Sequence, residues 1–150
     1  MILSTMLEGE SRELGGTFAA IAKEILMNSR PLKPPCVVIG GGETTVKITG
    51  DVGQGGPNQE FALGAAACLE GLANVVIVGL DSDGTDGPTQ FAGAVVDETT
   101  MHRVRDAGLD LFFALKRHDV SSLLNELGDT IFTGNTGTNV NDLKLMVIGL

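Results

Sequence analysis

The sequence predicts an α/β domain, layered α/β/α, with a mixed sheet. Three observations carry this. Apolar stripes at helical spacing alternate along the chain with short continuous apolar runs of strand length. Two strand candidates are joined by Gly40–Thr44, too short for a crossover helix, so the sheet contains an antiparallel pair. Glycine, at 21 of 150 residues, is about twice its usual ~7%. It has no collagen-like period and collects where apolar runs end, as turns and tight loops require.

The elements follow in order. Met1 to Leu7 reads as a short strand, and a helix follows over Ser11–Asn28, with Leu14, Phe18, Ile21, Ala22, Ile25 and Leu26 on one stripe. Pro31, Pro34 and Pro35 close it. Cys36–Ile39 is a continuous apolar run, the pattern of a strand covered on both faces. Thr45–Thr49 alternates, which predicts a strand with one wet face, hairpin-linked to the previous one. Pro57 suits the first position of a helix whose body, Phe61–Leu69, is apolar almost all round and therefore deeply buried. Val75–Leu80 is a second buried strand, while Phe91–Val96 fits either a weaker strand or a helix start. Helical patterns over Thr99–Ala107, Leu109–Leu115 and Ser121–Leu127 and strands at Thr130–Thr133 and Leu143–Ile148 complete the chain. Its length suits a single domain spanning residues 1–150.

Composition excludes several classes of function. Apolar residues make up 43% and charged residues 19%, a globular balance with no run approaching the ~18 residues of a membrane span. The net charge is −9, and the widest basic grouping is Lys116-Arg117-His118, so neither nucleic acid nor an anionic membrane is an expected partner. Cys36 and Cys68 have no metal or redox spacing and read as reduced core residues. Met1–Met6 has no signal-peptide pattern, which leaves the cytoplasm as the expected compartment.

Four polar loops carry the chemistry. They are Gly40–Thr45, Gly53–Glu60, Asp81–Thr89 and Thr133–Asp142, and the first, third and fourth directly follow apolar strands. In open α/β sheets ligands lie beyond the carboxyl ends of the strands, so the loops after Ile39, Leu80 and Phe132 are expected along one edge as a shared site. Gly53-Gln54-Gly55-Gly56-Pro57-Asn58 opens a helix but lacks the third glycine of a dinucleotide fingerprint. The helix N-terminus still offers N–H groups to phosphate or carboxylate, with Asn58, Gln59 and Glu60 expected partly exposed there. The Asp81 loop is no EF-hand, yet its three carboxylates suit either Mg²⁺ or simple loop capping. Arg12 and Lys47 are the cations nearest the predicted loop end, each either in contact with an anion or a solvated or ion-paired side chain. His102 and His118, in charged helical surroundings, read as surface residues.

In this order the loops resemble the C-terminal MOFRL domain of class II glycerate kinases. The carrying stretches are Leu7-Glu8-Gly9-Glu10 with Arg12, Gly41-Gly42-Glu43-Thr44-Thr45-Val46, Gly55-Gly56-Pro57-Asn58-Gln59-Glu60, Asp83-Gly84-Thr85-Asp86-Gly87-Pro88-Thr89 and Thr136-Gly137-Thr138-Asn139-Val140-Asn141-Asp142. The resemblance implies a small-molecule phosphotransferase that uses ATP and Mg²⁺ to phosphorylate D-glycerate at its 2-position, in a cleft between this domain and an N-terminal one. It implies that Gly41, Gly42, Glu43, Thr44, Gly55, Gly56, Asn58, Gln59, Glu60, Thr136, Gly137, Thr138 and Asn139, with Arg12 and Lys47, bind substrate or phosphate. Asp83 and Asp86 would hold Mg²⁺ or accept the hydroxyl proton. The resemblance departs at Pro57, where the family pattern usually has arginine. The N-terminal domain is absent and is the expected partner, in cis or as a separate chain, with self-association as another way to cover an exposed apolar face. Two other functions stay open: a non-catalytic ligand-binding or assembly module, and a hydroxypyruvate reductase, a label the family has also carried.

Overall fold

The stripe on the first helix needs a surface to cover it, and the structure supplies a second helix lying on a sheet. The computed structural model describes residues 1–149. Its elements are β1 (Ile2–Leu7), α1 (Ser11–Asn28), β2 (Cys36–Gly42), α2 (Pro57–Leu69), β3 (Val75–Asp81), β4 (Gly93–Asp97), α3 (Thr100–Asp106), α4 (Leu111–Lys116), α5 (Val120–Leu127), β5 (Thr130–Ile131) and β6 (Asp142–Ile148). The sheet order is β1-β2-β6-β3-β4-β5. β1 and β2 pair in parallel across α1, and every other pairing is antiparallel. The expected α/β class and mixed sheet are therefore present, and Phe91–Val96 resolves as strand.

The expected hairpin does not form. β2 pairs with β1 and β6, and Thr45–Thr49 contributes only an isolated bridge from Thr45 to Glu10. The parallel β1–β2 pair, not a hairpin, makes the sheet mixed. The alternation in Thr45–Thr49 is genuine but reports something else. Val46 and Ile48 line one cavity, while Lys47 and Thr49 line a groove on the other side of the same extended segment.

One face of the sheet carries Val38, Met146, Ile148, Val75, Ile77, Ala94 and Val96, all buried in a single core with residues of all five helices. α2 lies beneath α1, and its residues Phe61–Ala66 have no exposed surface or nearly none. Two glycines permit this contact. A Cβ on Gly15 would lie 2.1 Å from the Phe61 carbonyl oxygen, and one on Gly64 would lie 2.4 Å from the Arg12 carbonyl oxygen. Phe18 and Phe61 then meet edge to face, with centroids 5.1 Å apart.

The other face is also aliphatic but is not covered as Cys36–Ile39 predicts. Val37 is 43% exposed and Ile39 37%, and Val76, Val78, Leu80, Leu143, Leu145 and Val147 are half-buried. Cys36 is half-buried, and Cys68, expected in the core, is exposed near the end of α2. No helix among the described residues is long and apolar enough to cross a membrane.

Candidate functional site

Strand direction brings the loops together. β2 and β3 both run antiparallel to β6, so their carboxyl ends, Gly42 and Asp81, each lie opposite Asp142 at its start. β5 ends beside Gly93 on the same edge. The chain leaving it folds onto the Asp83 turn. Thr136 donates its N–H to the Asp83 carbonyl (3.2 Å) and its hydroxyl to the Ser82 carbonyl (2.6 Å). Asn139 Nδ2 donates to Asp83 Oδ2 (3.2 Å), and the Val140 N–H donates to Ser82 Oγ (2.8 Å). The contact is tight enough that a Cβ on Gly84, at φ +97°, would lie 2.0 Å from the Gly134 oxygen. Glu43 joins this edge through its N–H to the Leu7 carbonyl (3.0 Å). The three loops expected along one edge do lie there.

Within this edge the candidate residues separate into a buried network and an open rim. Asp86 is 0% exposed. Its Oδ1 accepts from Asn58 N (2.9 Å) and Nδ2 (3.1 Å), and its Oδ2 accepts from Gln59 N (2.8 Å) and Nε2 (3.0 Å). The carboxylate thus caps α2. This corrects two expectations. The N–H groups of Asn58 and Gln59 are not open to a bound anion, and Asp86 turns both oxygens inward, away from any metal or hydroxyl at the surface. Asn58, Gln59 and Glu60, expected partly exposed, are buried. Asn58 also donates to Asp142 Oδ1 (2.8 Å) and accepts from Lys144, whose Nζ lies 3.2 Å from Asp142 Oδ2 and 5.0 Å above the Phe61 ring. Burial pushes the Lys144 ammonium below its ordinary value, against the pull of Asp142. Thr44 is buried as well, accepting from Ser11 Oγ at 2.8 Å. Lys144 interrupts the apolar run Leu143–Ile148, and that interruption was its only sequence signal.

The rim holds Glu43, Thr136, Gly137, Thr138 and Asn139, all exposed, with Asp83 half-buried among them and Gly41 and Gly42 behind. The Thr85 hydroxyl and N–H, both 2.8 Å from Asp83 Oδ1, hold that carboxyl below its ordinary value. Burial, together with nearby Asp83 and Asp142, pushes Asp81 upward. Among the described residues no three His, Cys, Asp or Glu side chains are grouped to hold a metal ion. Asp83 and Asp86 share no hydrogen-bond partner, since Asp83 takes Thr85 and Asn139 and Asp86 takes Asn58 and Gln59.

Beside the rim, a cavity of about 260 Å³ opens between Val46, Ile48, Val52, the Gly53–Pro57 turn, Gly87, Pro88, Glu60 and His118. Its polar wall is an ion cluster. Glu60, 1% exposed, places Oε1 2.7 Å from His118 Nδ1 and Oε2 2.6 Å from Arg12 Nη2. Arg12 also donates to the Leu115 carbonyl (2.9 Å) and pairs with Glu10 (3.3 Å). Burial pushes the Glu60 carboxyl up, opposed by its bond to His118 and by the Arg12 charge. Arg12 is thus held by its own carboxylates, while the exposed Lys47 borders the adjoining groove. His118, expected at the surface, is only 5% exposed. His102 is exposed and pairs with Asp106 (2.7 Å), as a surface residue should. The N–H groups of Gly55 and Gly56 make no hydrogen bond within the described residues and adjoin this cavity.

Comparisons with known proteins agree with this fold. The profile of the MOFRL family matches residues 36–142. A glycerate 2-kinase from Pyrococcus horikoshii is 46% identical over 147 residues, covering 98% of this chain and 33% of that protein. A D-glycerate 2-kinase from Thermotoga maritima is 46% identical over 149 residues, covering 99% and 35%. The crystal structure of a glycerate kinase from Thermotoga maritima superposes with a TM-score of 0.96 at 44% identity, over 99% of this chain and 36% of that one. A relative from Agrobacterium vitis, 40% identical over 99% of this chain and 34% of its own length, carries a hydroxypyruvate reductase name. The chain therefore spans about a third of the relatives it matches.

Proposed function

This chain belongs to the MOFRL family, and from that premise we propose that it forms one wall of a site for the ATP-dependent phosphorylation of D-glycerate at the 2-position. The observation that carries the reading is the convergence of the family's loop motifs on one edge of the sheet, in a fold shared with a protein named as a glycerate kinase. Phosphoryl transfer asks a protein mainly to align the reactants and neutralise charge on the transferring oxygens. The unbonded N–H groups of Gly55 and Gly56 suit a carboxylate or phosphate. The rim residues Glu43, Thr136, Thr138, Asn139 and Asp83 face the side on which the rest of such an enzyme would close. Asp86, Asn58, Gln59 and Lys144 keep those loops in register from beneath. The remaining two thirds of the relatives' length supplies the opposite wall. Any Mg²⁺ accompanying ATP would be held at least in part by the nucleotide's own phosphates.

The purified 150-residue chain is expected to show no ATP-dependent phosphorylation of D-glycerate, because the opposite wall of the proposed site belongs to the part of the relatives it does not span. Electrostatic contacts are worth roughly 3–4 kcal/mol each, and positioning up to ~7–11 kcal/mol. Fusion to the N-terminal two thirds of the Thermotoga maritima relative is expected to restore turnover in a coupled ADP assay. Robust turnover by the chain alone would refute the one-wall reading. The Agrobacterium vitis name supports a second reading, a reductase, which NADH binding without ATP or glycerate binding would favour.

A further inference from the structure

All five helices bury residues in the core on one face of the sheet, which leaves the opposite face without a helical layer among the described residues. We propose that this bare face is the contact between two copies of the chain, packed sheet on sheet about a two-fold axis. The proposal stands apart from the phosphotransfer reading and does not depend on it.

The strand register defines the face. Val38, Met146, Ile77 and Val96 stand abreast on β2, β6, β3 and β4 and point into the core. Side chains reverse at each step along a strand. Ile39, Leu145 and Val78 therefore form one outward row, and Val37, Val147 and Val76 the next. None of these six is buried. An aliphatic sheet face ordinarily meets a second layer, and one left open marks a place of contact.

Charge and size select the occupant. Within β2, β3, β4 and β6 the one charged side chain on this face is Asp97, opposite Val76 at the margin. Its carboxylate is taken up by the Thr99 N–H (2.8 Å) and hydroxyl (2.6 Å). The chain carries a net charge of −9, so two copies repel over most of their surfaces. On this face they meet without opposing carboxylates, whereas a strongly charged partner finds no counter-charge. β1, β2, β6, β3 and β4 lie side by side. At ~4.8 Å between strands, and about six residues of ~3.3 Å along each, they present a plane of roughly 480 Å². Two copies then cover about 1,000 Å², the size at which specific contacts begin. Sheets of equal twist pack face to face about 10 Å apart at roughly 30°, so a second copy matches the shape of the first. The polar loops lie at the strand ends, and the pairing leaves both sets open.

The test is sedimentation equilibrium of this chain from about 5 to about 500 µM, since a contact of this size is concentration-dependent. The weight-average mass is expected to rise from 15.6 kDa towards twice that value and no further. Over the same range the methyl groups of Ile39, Val78 and Leu145 should become shielded from a soluble paramagnetic probe in ¹³C NMR, while those of the loop residue Val140 stay accessible. Ile39 is 37% exposed, so Ile39→Lys is expected to keep its circular dichroism and to hold the mass at 15.6 kDa throughout. Phe112→Ser, on the helical side, should leave the dimer unchanged. If Ile39→Lys fails to fold, the methyl shielding of the unaltered chain decides. A monomer at every concentration overturns the proposal, as does growth beyond two copies or a dimer whose sheet methyls remain accessible. Shielding that appears only on fusion to the N-terminal two thirds of the Thermotoga maritima relative gives the face to that partner and overturns it too.

Discussion

Asp86 shows how one carboxylate can hold two loops and a helix. Its four donors come from Asn58 and Gln59, and replacing it with asparagine leaves an oxygen for one pair and an NH₂ facing the other. Buried donors left without an acceptor cost about 1–3 kcal/mol each. Asp86→Asn is therefore expected to lower stability by roughly 2 kcal/mol or more in urea unfolding. Asp83→Asn, at the rim, should change it by less than about 0.5 kcal/mol. Glu60 carries a pH signature. Burial raises its folded-state value above the ordinary one, so it holds a proton in the folded chain at pH values where the unfolded chain has released it. Its contribution to stability is thus full below about pH 4.5 and falls as pH rises through the raised value. Glu60→Gln is expected to flatten that part of a plot of Tm against pH, and an unchanged slope would assign the dependence to other groups.

At the scale of elements, α2 is decided by its two neighbours. Gly15 sits mid-helix, where alanine would ordinarily gain about 1 kcal/mol of helix propensity. The crossing reverses that sign, since a methyl group there would lie 2.1 Å from the Phe61 carbonyl. Gly15→Ala is expected to destabilise by about 1–3 kcal/mol in denaturant titration, and a stabilised variant would show that α1 can slide. The same crossing explains what the sequence could and could not disclose. The stripe on α1 and the all-round apolar surface of α2 announce both helices and their burial directly. The Thr45–Thr49 alternation announces an extended segment but not its partner, because period two is the same whether the two sides meet a sheet or two grooves. The glycine-rich motifs place the loops after strands, so the shared edge was legible. The inward turn of Asp86 was not, because a loop aspartate that caps a helix and one that binds a ligand look alike until the fold orients them. His118 was misread because its partners, Glu60 and Arg12, stand 58 and 106 residues away in sequence.

For the molecule as a whole, the two sheet faces divide the labour. One is sealed by helices; the other presents Val37, Ile39, Val78 and Leu145 across its middle strands. The expectation that phosphorylation returns only on fusion belongs to this scale, since the relatives are about three times as long. The sheet order has a further consequence. β6 lies between β2 and β3, yet it follows both of them in sequence. Until residues 142–148 emerge, β2 and β3 are separated by a gap of two strand spacings, about 10 Å, and each presents an unpaired edge able to recruit a stranger. Between residues 81 and 142 the nascent chain therefore carries two unfinished halves, which the seven residues of β6 join. A nascent chain that has emerged to any point between Asp97 and Asp142 would hold out two open edges, with their natural strand still to come.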